Sequence, residues 1–301
     1  MGKLRQYRHR TLEERIKLHS QVQELRAKGL QVKAIAQALG MSRRDVSYWL
    51  RVKRPSRTVY APDLSPRPEL AYLVGAYLGD GRTAGEQDKK VRFNVADPAF
   101  ADLLNELVAK VVRASTRPVK MEEGFYSVSY DCAVLYDLLQ QPIDAFSMLT
   151  EAFPGMFLRG FFDAEWYVSP MLNHKARRFD GIELGAANTN DEYLNLAQKL
   201  LSRLGISSRF ATTHAIGDQM IIRGRVFVRR KEVRQLRVSG RANAEIFYSR
   251  VGFAIPEKKE KLLDLIGIIG EMTPADGYRA FTSQYQLRNH RWHKSRSENI
   301  S

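Results

Sequence analysis

Two nine-residue segments of this chain carry the same pattern, LVGAYLGDG at 73–81 and LRGFFDAEW at 158–166. In both, small residues stand at the third and seventh positions and an acid stands at the eighth. The matching pairs, each 85 positions apart, are Leu73 with Leu158, Gly75 with Gly160, Gly79 with Ala164, and Asp80 with Glu165. The repeat predicts that the chain contains two copies of one structural unit.

The segments that follow each motif support the duplication. Amphipathic helices are predicted from Asp97 and from Asn190, and their apolar residues align at a spacing of 93. The aligned pairs are Phe100 with Tyr193, Leu103 with Leu196, Leu107 with Leu200, and Val111 with Leu204. The change in spacing from 85 to 93 places eight extra residues in the second copy. We expect these residues to form a longer hairpin loop.

Each copy is predicted to contain a motif helix, two strands, the amphipathic helix, two more strands and a closing helix. This order predicts an α+β fold with two pseudo-symmetric αββαββα repeats. We place the repeats at 68–145 and 146–270, and a basic C-terminal tail at 271–301. Trp166 stands where the first copy has Gly81, which leaves open where the second motif helix ends.

The N-terminal part of the chain holds most of the positive charge. The formal net charge is +15, of which residues 1–60 carry +11. A surplus of this size attracts the phosphate backbone of nucleic acids. We therefore expect residues 1–56 to form a separate basic domain, joined by a proline-rich linker at 57–67.

The sequence VKAIAQALGMSRRDVSYWLR within this domain predicts two helices around a tight turn at Gly40. Its spacing resembles the helix-turn-helix DNA-binding family, and the alternative is an ordinary small helical bundle. Ser42 is predicted to cap the second helix. The outward residues of that helix are the DNA-contact candidates, namely Arg43, Arg44, Ser47 and Tyr48.

Several classes of protein are disfavoured by composition. Cys132 is the single cysteine, so an internal disulfide framework and a zinc site of several thiolates are excluded. No apolar run approaches the roughly 20 residues that span a bilayer, and the N-terminus lacks the apolar segment of a signal peptide. We expect a soluble, cytoplasmic protein with no membrane partner.

The two motif acids point to metal chemistry. Gly75 and Gly79 share one helical face, which predicts close approach of the two motif helices. Asp80 and Glu165 then meet at the C-terminal ends, where both oppose the helix dipoles and repel each other. A divalent cation between them would relieve this cost, and oxygen ligands favour Mg²⁺. The alternative is that both are surface acids at helix ends.

These duplicated motifs and the helices that follow them resemble the single-chain LAGLIDADG homing endonucleases over roughly residues 65–270. The resemblance implies that the main-chain carbonyls of Gly79 and Ala164 assist the metal. It also implies that Mg²⁺ or Mn²⁺ supports catalysis, whereas Ca²⁺ binds without supporting cleavage. Both DNA strands are then expected to be cut with short 3′ overhangs. Lys120 is the candidate for the basic residue that this family places beside its metals.

The four strands of each copy are expected to form a DNA-binding saddle, because alternate side chains face one side of a sheet. The basic candidates in the first copy are Arg82, Lys90, Arg92 and Lys120. Those in the second copy are Arg223, Arg225, Arg229 and Lys231. A run of charges is often only a solvated face.

The sequence therefore predicts a monomeric, metal-dependent endonuclease that cuts a long, asymmetric site in double-stranded DNA. Two alternatives stay open at this point. One is a DNA-binding transcriptional regulator that does not cleave, and the other is a maturase that binds intron RNA.

Overall fold

The computed structural model describes residues 12–51, 62–84, 89–122, 124–222, 225–288 and 291–295. It contains helices and antiparallel sheets in separate runs, so the predicted α+β class is confirmed. No helix in these described ranges is long and apolar enough to cross a membrane.

Three N-terminal helices form a unit with its own core: α1 (Leu12–Ala27), α2 (Val32–Ala38) and α3 (Arg43–Arg51). Val22, Ile35, Val46 and Trp49 are buried together at its centre. Gly40 has a φ of +61°, in the left-handed region that a tight turn between helices requires. Ser42 caps α3 as predicted, because its hydroxyl accepts a hydrogen bond of 3.0 Å from the backbone N–H of Asp45.

The first repeat follows the predicted element order. Its elements are α4 (Pro68–Asp80), β1 (Gly81–Ala84), β2 (Lys90–Val95), α5 (Pro98–Val112), β3 (Lys120–Glu122), β4 (Phe125–Asp131) and α6 (Ala133–Leu139). The strands form an antiparallel sheet in the order β1-β2-β4-β3. A short 3₁₀ turn (Ile143–Phe146) and α7 (Ser147–Ala152) lead into the second repeat.

The second repeat has the same order with one addition. Its elements are α8 (Pro154–Glu165), β5 (Trp166–Asn173), β6 (Arg178–Asn188), α9 (Asp191–Arg203), β7 (Arg209–His214), β8 (Gln219–Ile222), β9 (Arg225–Val228), β10 (Val233–Ser239) and α10 (Arg241–Arg250). The four-stranded sheet β5-β6-β10-β7 repeats the topology of the first sheet. Among the residues that the structure describes, strands β8 and β9 pair only with each other, as a separate hairpin inserted between β7 and β10.

Strand register confirms the alignment of the two copies. Gly81 pairs with Phe93 in the first sheet, and Trp166 pairs with Ala186 in the second, which reproduces the spacings of 85 and 93. The expectation of a longer loop is wrong, because the extra residues lengthen the strands. Strands β5 and β6 have 8 and 11 residues, against 4 and 6 in β1 and β2.

The chain beyond α10 is folded, and it includes both the end of the predicted second repeat (to 270) and the described part of the predicted tail (from 271). It forms α11 (Pro256–Glu271), α12 (Pro274–Gln284) and the hairpin β11 (Tyr285–Arg288) with β12 (Arg291–Lys294). The ring of Phe281 stacks on Tyr285 at 4.6 Å and meets Trp292 edge-on at 5.1 Å. Charge counts alone missed this aromatic cluster, whose buried rings fix the hairpin to the core.

Candidate metal centre and nucleic-acid surface

Helices α4 and α8 pack backbone to backbone at the centre of the molecule. A Cβ atom added to Gly75 would lie 2.1 Å from the carbonyl oxygen of Phe157. A Cβ atom added to Gly160 would lie 2.0 Å from the carbonyl oxygen of Tyr72. Real Cβ atoms do not approach backbone so closely, so the small residues are required for this helix contact.

The contact continues to the C-terminal ends of both helices. A Cβ atom added to Gly79 would lie 2.5 Å from the Cβ atom of Ala164 and 3.0 Å from the Cγ atom of Glu165. Both helices end at their acid, because β1 begins at Gly81 and β5 begins at Trp166. Trp166 occupies the position equivalent to Gly81, so the second helix ends at the same place without a glycine. In the first copy a Cβ atom added to Gly81 would lie 2.2 Å from the ring of Tyr77.

Asp80 and Glu165 interact electrostatically and line one cleft. Burial, and then the negative charge of Asp80, raises the pKa of Glu165 to about 8. The carboxylate of Glu165 accepts a hydrogen bond of 2.7 Å from the side-chain amide of Asn188. Asp80 is the more exposed of the two acids. The pair is thus a half-desolvated carboxylate next to a solvated one.

The residues at these helix ends fit a hard divalent cation that takes most of its ligands from elsewhere. Among the described residues no group of three or more His, Cys, Asp or Glu side chains is arranged to hold a metal. Two carboxylates, with the carbonyls of Gly79 and Ala164 beside them, supply oxygen donors only. Mg²⁺ suits such a set, since it keeps several waters and also binds phosphate oxygens.

Lys258 on α11 is a part of this site that the sequence analysis missed. Its ammonium donates hydrogen bonds to the carbonyl oxygens of Asp163 at 2.6 Å and Phe162 at 3.3 Å. These carbonyls belong to the last turn of α8, where the helix dipole favours a cation. Lys258 lines the same cleft as the two acids, and its charge lowers the pKa of Glu165. Only the fold of α11 onto α8 reveals this role.

Asp163 fixes the position of this helix end. Its buried carboxylate accepts hydrogen bonds from the hydroxyl of Tyr72 at 2.7 Å and from the backbone N–H groups of Ala254 at 2.9 Å and Ile255 at 3.4 Å. One side chain therefore joins α8 to α4 and to the start of α11. Burial raises its pKa, and the hydrogen bonds oppose that shift.

Three basic candidates of the first repeat share one face of their sheet. Val91, Phe93 and Val95 are buried on the core side, so the alternate residues Lys90 and Arg92 face the other side, the groove face. Register places Arg82 opposite Arg92 and Lys120 opposite Ser127, which itself faces Asn94. Lys90, Arg92 and Lys120 therefore belong to the groove face, and the backbone of Arg82 pairs with that of Arg92.

Lys120 is not brought to the two acids. It lies on β3, the far edge strand, whereas β1 continues directly from Asp80. Three strand spacings separate β3 from β1, or roughly 14 Å. Lys120 is also absent from the residues that line the cleft of Asp80 and Glu165. The structure therefore does not bring Lys120 to the two acids, so its catalytic role stays a prediction, and Lys120 belongs to the groove face.

The groove face of the second sheet is less basic than that of the first. Register puts Glu183 and Gly185 where the first sheet has Lys90 and Arg92. Arg237 lies 3.7 Å from the Glu183 carboxylate. Its Nε also donates a hydrogen bond of 2.7 Å to Gln235. Arg237 is therefore held in an internal polar network, whereas Arg209, its register partner on β7, is exposed on the same face.

The basic candidates of the second repeat lie elsewhere than predicted. Arg223 lies outside the described residues, and Arg225 begins β9 of the inserted hairpin. Arg229 and Lys231 follow that hairpin, before β10 begins. They are therefore not part of the four-stranded sheet, because the segment folds back on itself instead of extending the saddle.

The N-terminal candidates lie on α3. Arg43, Arg44 and Tyr48 are exposed, and Ser47 is half-buried. Val46 and Trp49 face the opposite way, into the small core. Helix α3 therefore presents a basic and aromatic surface of the predicted kind.

Residues 152–252 match the LAGLIDADG-like domain family. The match covers the second repeat, which holds Glu165, Asn188 and Asp163.

Two relatives from Methanocaldococcus jannaschii are similar to the chain. An uncharacterized protein is 27% identical over 210 residues, which is 68% of this chain and 73% of that protein. A glutamine–fructose-6-phosphate aminotransferase is 23% identical over 216 residues, which is 66% of this chain and 17% of that protein. The chain thus spans less than a fifth of the second relative.

Solved structures with similar topology include I-DmoI in complex with DNA and calcium, with a TM-score of 0.42 and 16% identity, covering 65% of this chain and 97% of that one. Another structure of I-DmoI contains DNA and manganese. The N-terminal LAGLIDADG domain of DUF199/WhiA has a TM-score of 0.38 and 15% identity, covering 64% of this chain and 86% of that one.

Proposed function

We propose that this chain is a site-specific DNA endonuclease that hydrolyses phosphodiester bonds with a divalent cation bound by Asp80 and Glu165. One observation carries the proposal. Two acids in equivalent positions of a duplicated unit meet at the ends of two helices whose backbones touch through Gly75, Gly79 and Gly160. Duplication alone would not keep both acids, since a helix end without a role tolerates many residues.

The electrostatics of the pair support a cation site. Glu165 is held partly out of water next to a second negative charge, which is unfavourable without a cation. Asn188 holds the Glu165 carboxylate by one oxygen. When bound there, Mg²⁺ or Mn²⁺ would polarise the scissile phosphate and make an attacking water more acidic. The carbonyls of Gly79 and Ala164 complete the proposed ligand set.

The surfaces around the acids support duplex DNA as the substrate. The groove face of the first sheet carries Lys90, Arg92 and Lys120, and α3 carries Arg43 and Arg44. Cations spread over this length match a polyanion longer than a single nucleotide. Because the two repeats differ in sequence, the proposed target is asymmetric, and one chain suffices to bind both halves.

A second candidate function is DNA binding without cleavage, as in a transcriptional regulator. Lys258 favours it, because a positive charge already lies at the end of α8 in the cleft of the two acids. In that case Lys258 stabilises the acids as part of the fold, and the groove face binds DNA with no metal chemistry.

Selection of bound duplexes from a randomised DNA library, with the full chain in Ca²⁺, would provide the substrate for a decisive test. The recovered duplex is then incubated in Mg²⁺ or in EDTA with wild type, Asp80→Asn, Glu165→Gln and the double variant. The exposed Glu192→Gln serves as the control variant. We expect wild type and control to cut both strands only in Mg²⁺, and the single variants to bind equally but to cut at least about 100-fold more slowly.

Two outcomes would overturn parts of this proposal. Tight binding by wild type with no cutting in Mg²⁺ or Mn²⁺ would support the regulator. Metal-dependent cutting that survives in the double variant would show that the metal binds elsewhere.

A further inference from the structure

The inserted hairpin β8–β9 exposes apolar side chains on both of its faces. Val226, Phe227 and Val228 are 62%, 45% and 59% exposed. Successive residues of a strand point to opposite sides, so neither side of β9 is covered by the described part of the chain. A surface hairpin normally shows polar residues to water, and an isolated two-stranded hairpin is only marginally stable. Three consecutive exposed apolar residues therefore indicate a contact surface.

The charge around the hairpin identifies the kind of partner. Arg229, Arg230 and Lys231 follow Val228 directly, at the base of the hairpin. The Nε atom of Arg229 is buried without a hydrogen-bond partner in the described structure, whereas Arg230 and Lys231 are exposed. The apolar side chains lie along β9, from the pair Val226–Ile221 to the pair Val228–Gln219, and the cations follow at the base of the hairpin. This combination matches duplex DNA, in which the base pairs lie between two phosphate backbones. Another protein surface would not require the three consecutive cations.

The groove face of the second repeat carries fewer basic side chains than that of the first, although on both faces a cation is paired with an acid, Lys90 with Asp131 and Arg237 with Glu183. The second groove face has Glu183 and Gly185 where the first has Lys90 and Arg92, and Arg237 is engaged with Glu183 and Gln235. The first sheet has no inserted hairpin of this kind in the described residues. Arg209 is the exposed arginine of this groove face, and three further cations lie next to the hairpin.

We propose that β8–β9 is a DNA wedge, in which Phe227 and its neighbours insert at a base step while Arg229, Arg230 and Lys231 bind the adjacent phosphates. The wedge belongs to the DNA-binding part of the proposed function and does not require cleavage. Insertion would unstack the duplex at one position and bend it, so that it follows the less basic second sheet.

The test uses the duplex recovered by selection in Ca²⁺, with 2-aminopurine placed at successive positions. The proteins are wild type, Phe227→Ala, Phe227→Tyr and the control Met148→Ala, whose side chain is 74% exposed in the first half of the chain. We expect fluorescence to rise at one base step with wild type, Phe227→Tyr and Met148→Ala. Phe227→Ala should abolish the rise and bind about tenfold more weakly. Equal melting temperatures will show that all variants are folded.

Equal affinity and an equal fluorescence rise with Phe227→Ala would overturn the wedge, as would failure of selection to recover any bound duplex. Self-association of the free protein that depends on Phe227, with no change in DNA binding, would assign the surface to a second copy instead. The outcomes for cleavage are separate. If wild type unstacks the duplex but never cuts it in Mg²⁺, the wedge proposal is supported and the endonuclease proposal is contradicted.

Discussion

The hydroxyl of Tyr72 on α4 donates a 2.7 Å hydrogen bond to the buried carboxylate of Asp163 on α8. The two residues come from different repeats and are both 2% exposed. The bond lies in the stretch where the helix backbones touch, close to the acids. It therefore couples the alignment of the two motif helices to the end of α8, where Lys258 and Glu165 are found.

Replacing Tyr72 by Phe removes one of the hydrogen bonds of a buried carboxylate. We expect Tyr72→Phe to lower the free energy of unfolding by about 1–3 kcal/mol, because the Asp163 carboxylate loses a donor that water cannot replace. Urea denaturation followed by circular dichroism measures the change. Tyr48→Phe, at an exposed tyrosine, is the control and should be near neutral. Equal loss in both variants would argue against a special role for the Tyr72 bond.

Replacing glycine by alanine should destabilise the protein inside the contact of α4 with α8 but not outside it. Gly75→Ala places a methyl group against the backbone of Phe157, which cannot move aside, so we expect a loss of about 3 kcal/mol or more. Gly267→Ala, within α11, meets no atom within 4 Å and should be neutral or stabilise by up to about 1 kcal/mol. Thermal unfolding of both variants tests this. A Gly75→Ala protein as stable as wild type would contradict the close packing of α4 on α8.

The raised pKa of Glu165 predicts a pH-dependent stability. Its pKa is about 8 in the folded protein against an ordinary value of 4.5, so the folded state holds this proton more tightly than the unfolded state. The resulting stability is fully present below pH 4.5 and is lost as the pH rises through about 8. Without metal, wild type should therefore lose stability relative to Glu165→Gln between pH 5 and pH 9. Urea denaturation at each pH measures the free energy of unfolding. For the control Glu151→Gln, at an exposed glutamate, this free energy should change with pH as it does for wild type.

Helix α3 predicts a salt-dependent contribution to DNA binding. If Arg43 and Arg44 bind phosphates, replacing both by Ala should reduce the slope of log affinity against log salt by about 2, because two fewer counterions are released. Fluorescence anisotropy on the selected duplex at several salt concentrations gives this slope. The control is the double variant Lys28→Ala/Lys33→Ala, which replaces two exposed lysines outside α3 and so removes the same amount of positive charge. Equal slopes in the two variants would mean that only net charge matters.

The duplicated motif was the part of the sequence that predicted most. Small residues and an acid at fixed spacing predicted the two repeats, the contact between the motif helices and the meeting of Asp80 with Glu165. These could be predicted because the backbone contact leaves no room for a Cβ atom at Gly75 and Gly160 and little room at Gly79, so the packing is visible in the residue type.

The features that the sequence did not reveal depend on long-range folding. Lys258 reaches α8 only because Asp163 binds the start of α11, a contact that spans 91 residues. Lys120 resembled a site residue by charge, but strand order alone decides how far it lies from Asp80. The basic run near Arg229 looked like a saddle strand, because a hairpin and a continuous strand have the same alternating pattern.

Binding of Mn²⁺ tests the central claim most directly, since hydrated Mn²⁺ loses its sharp electron paramagnetic resonance signal when a protein binds it. The titration compares wild type, the Asp80→Asn/Glu165→Gln double variant and Glu192→Gln at pH 9, where Glu165 is ionised. We predict that wild type and Glu192→Gln deplete the free signal, and that the double variant leaves it unchanged. Equal depletion by the double variant would show that Asp80 and Glu165 do not bind the metal.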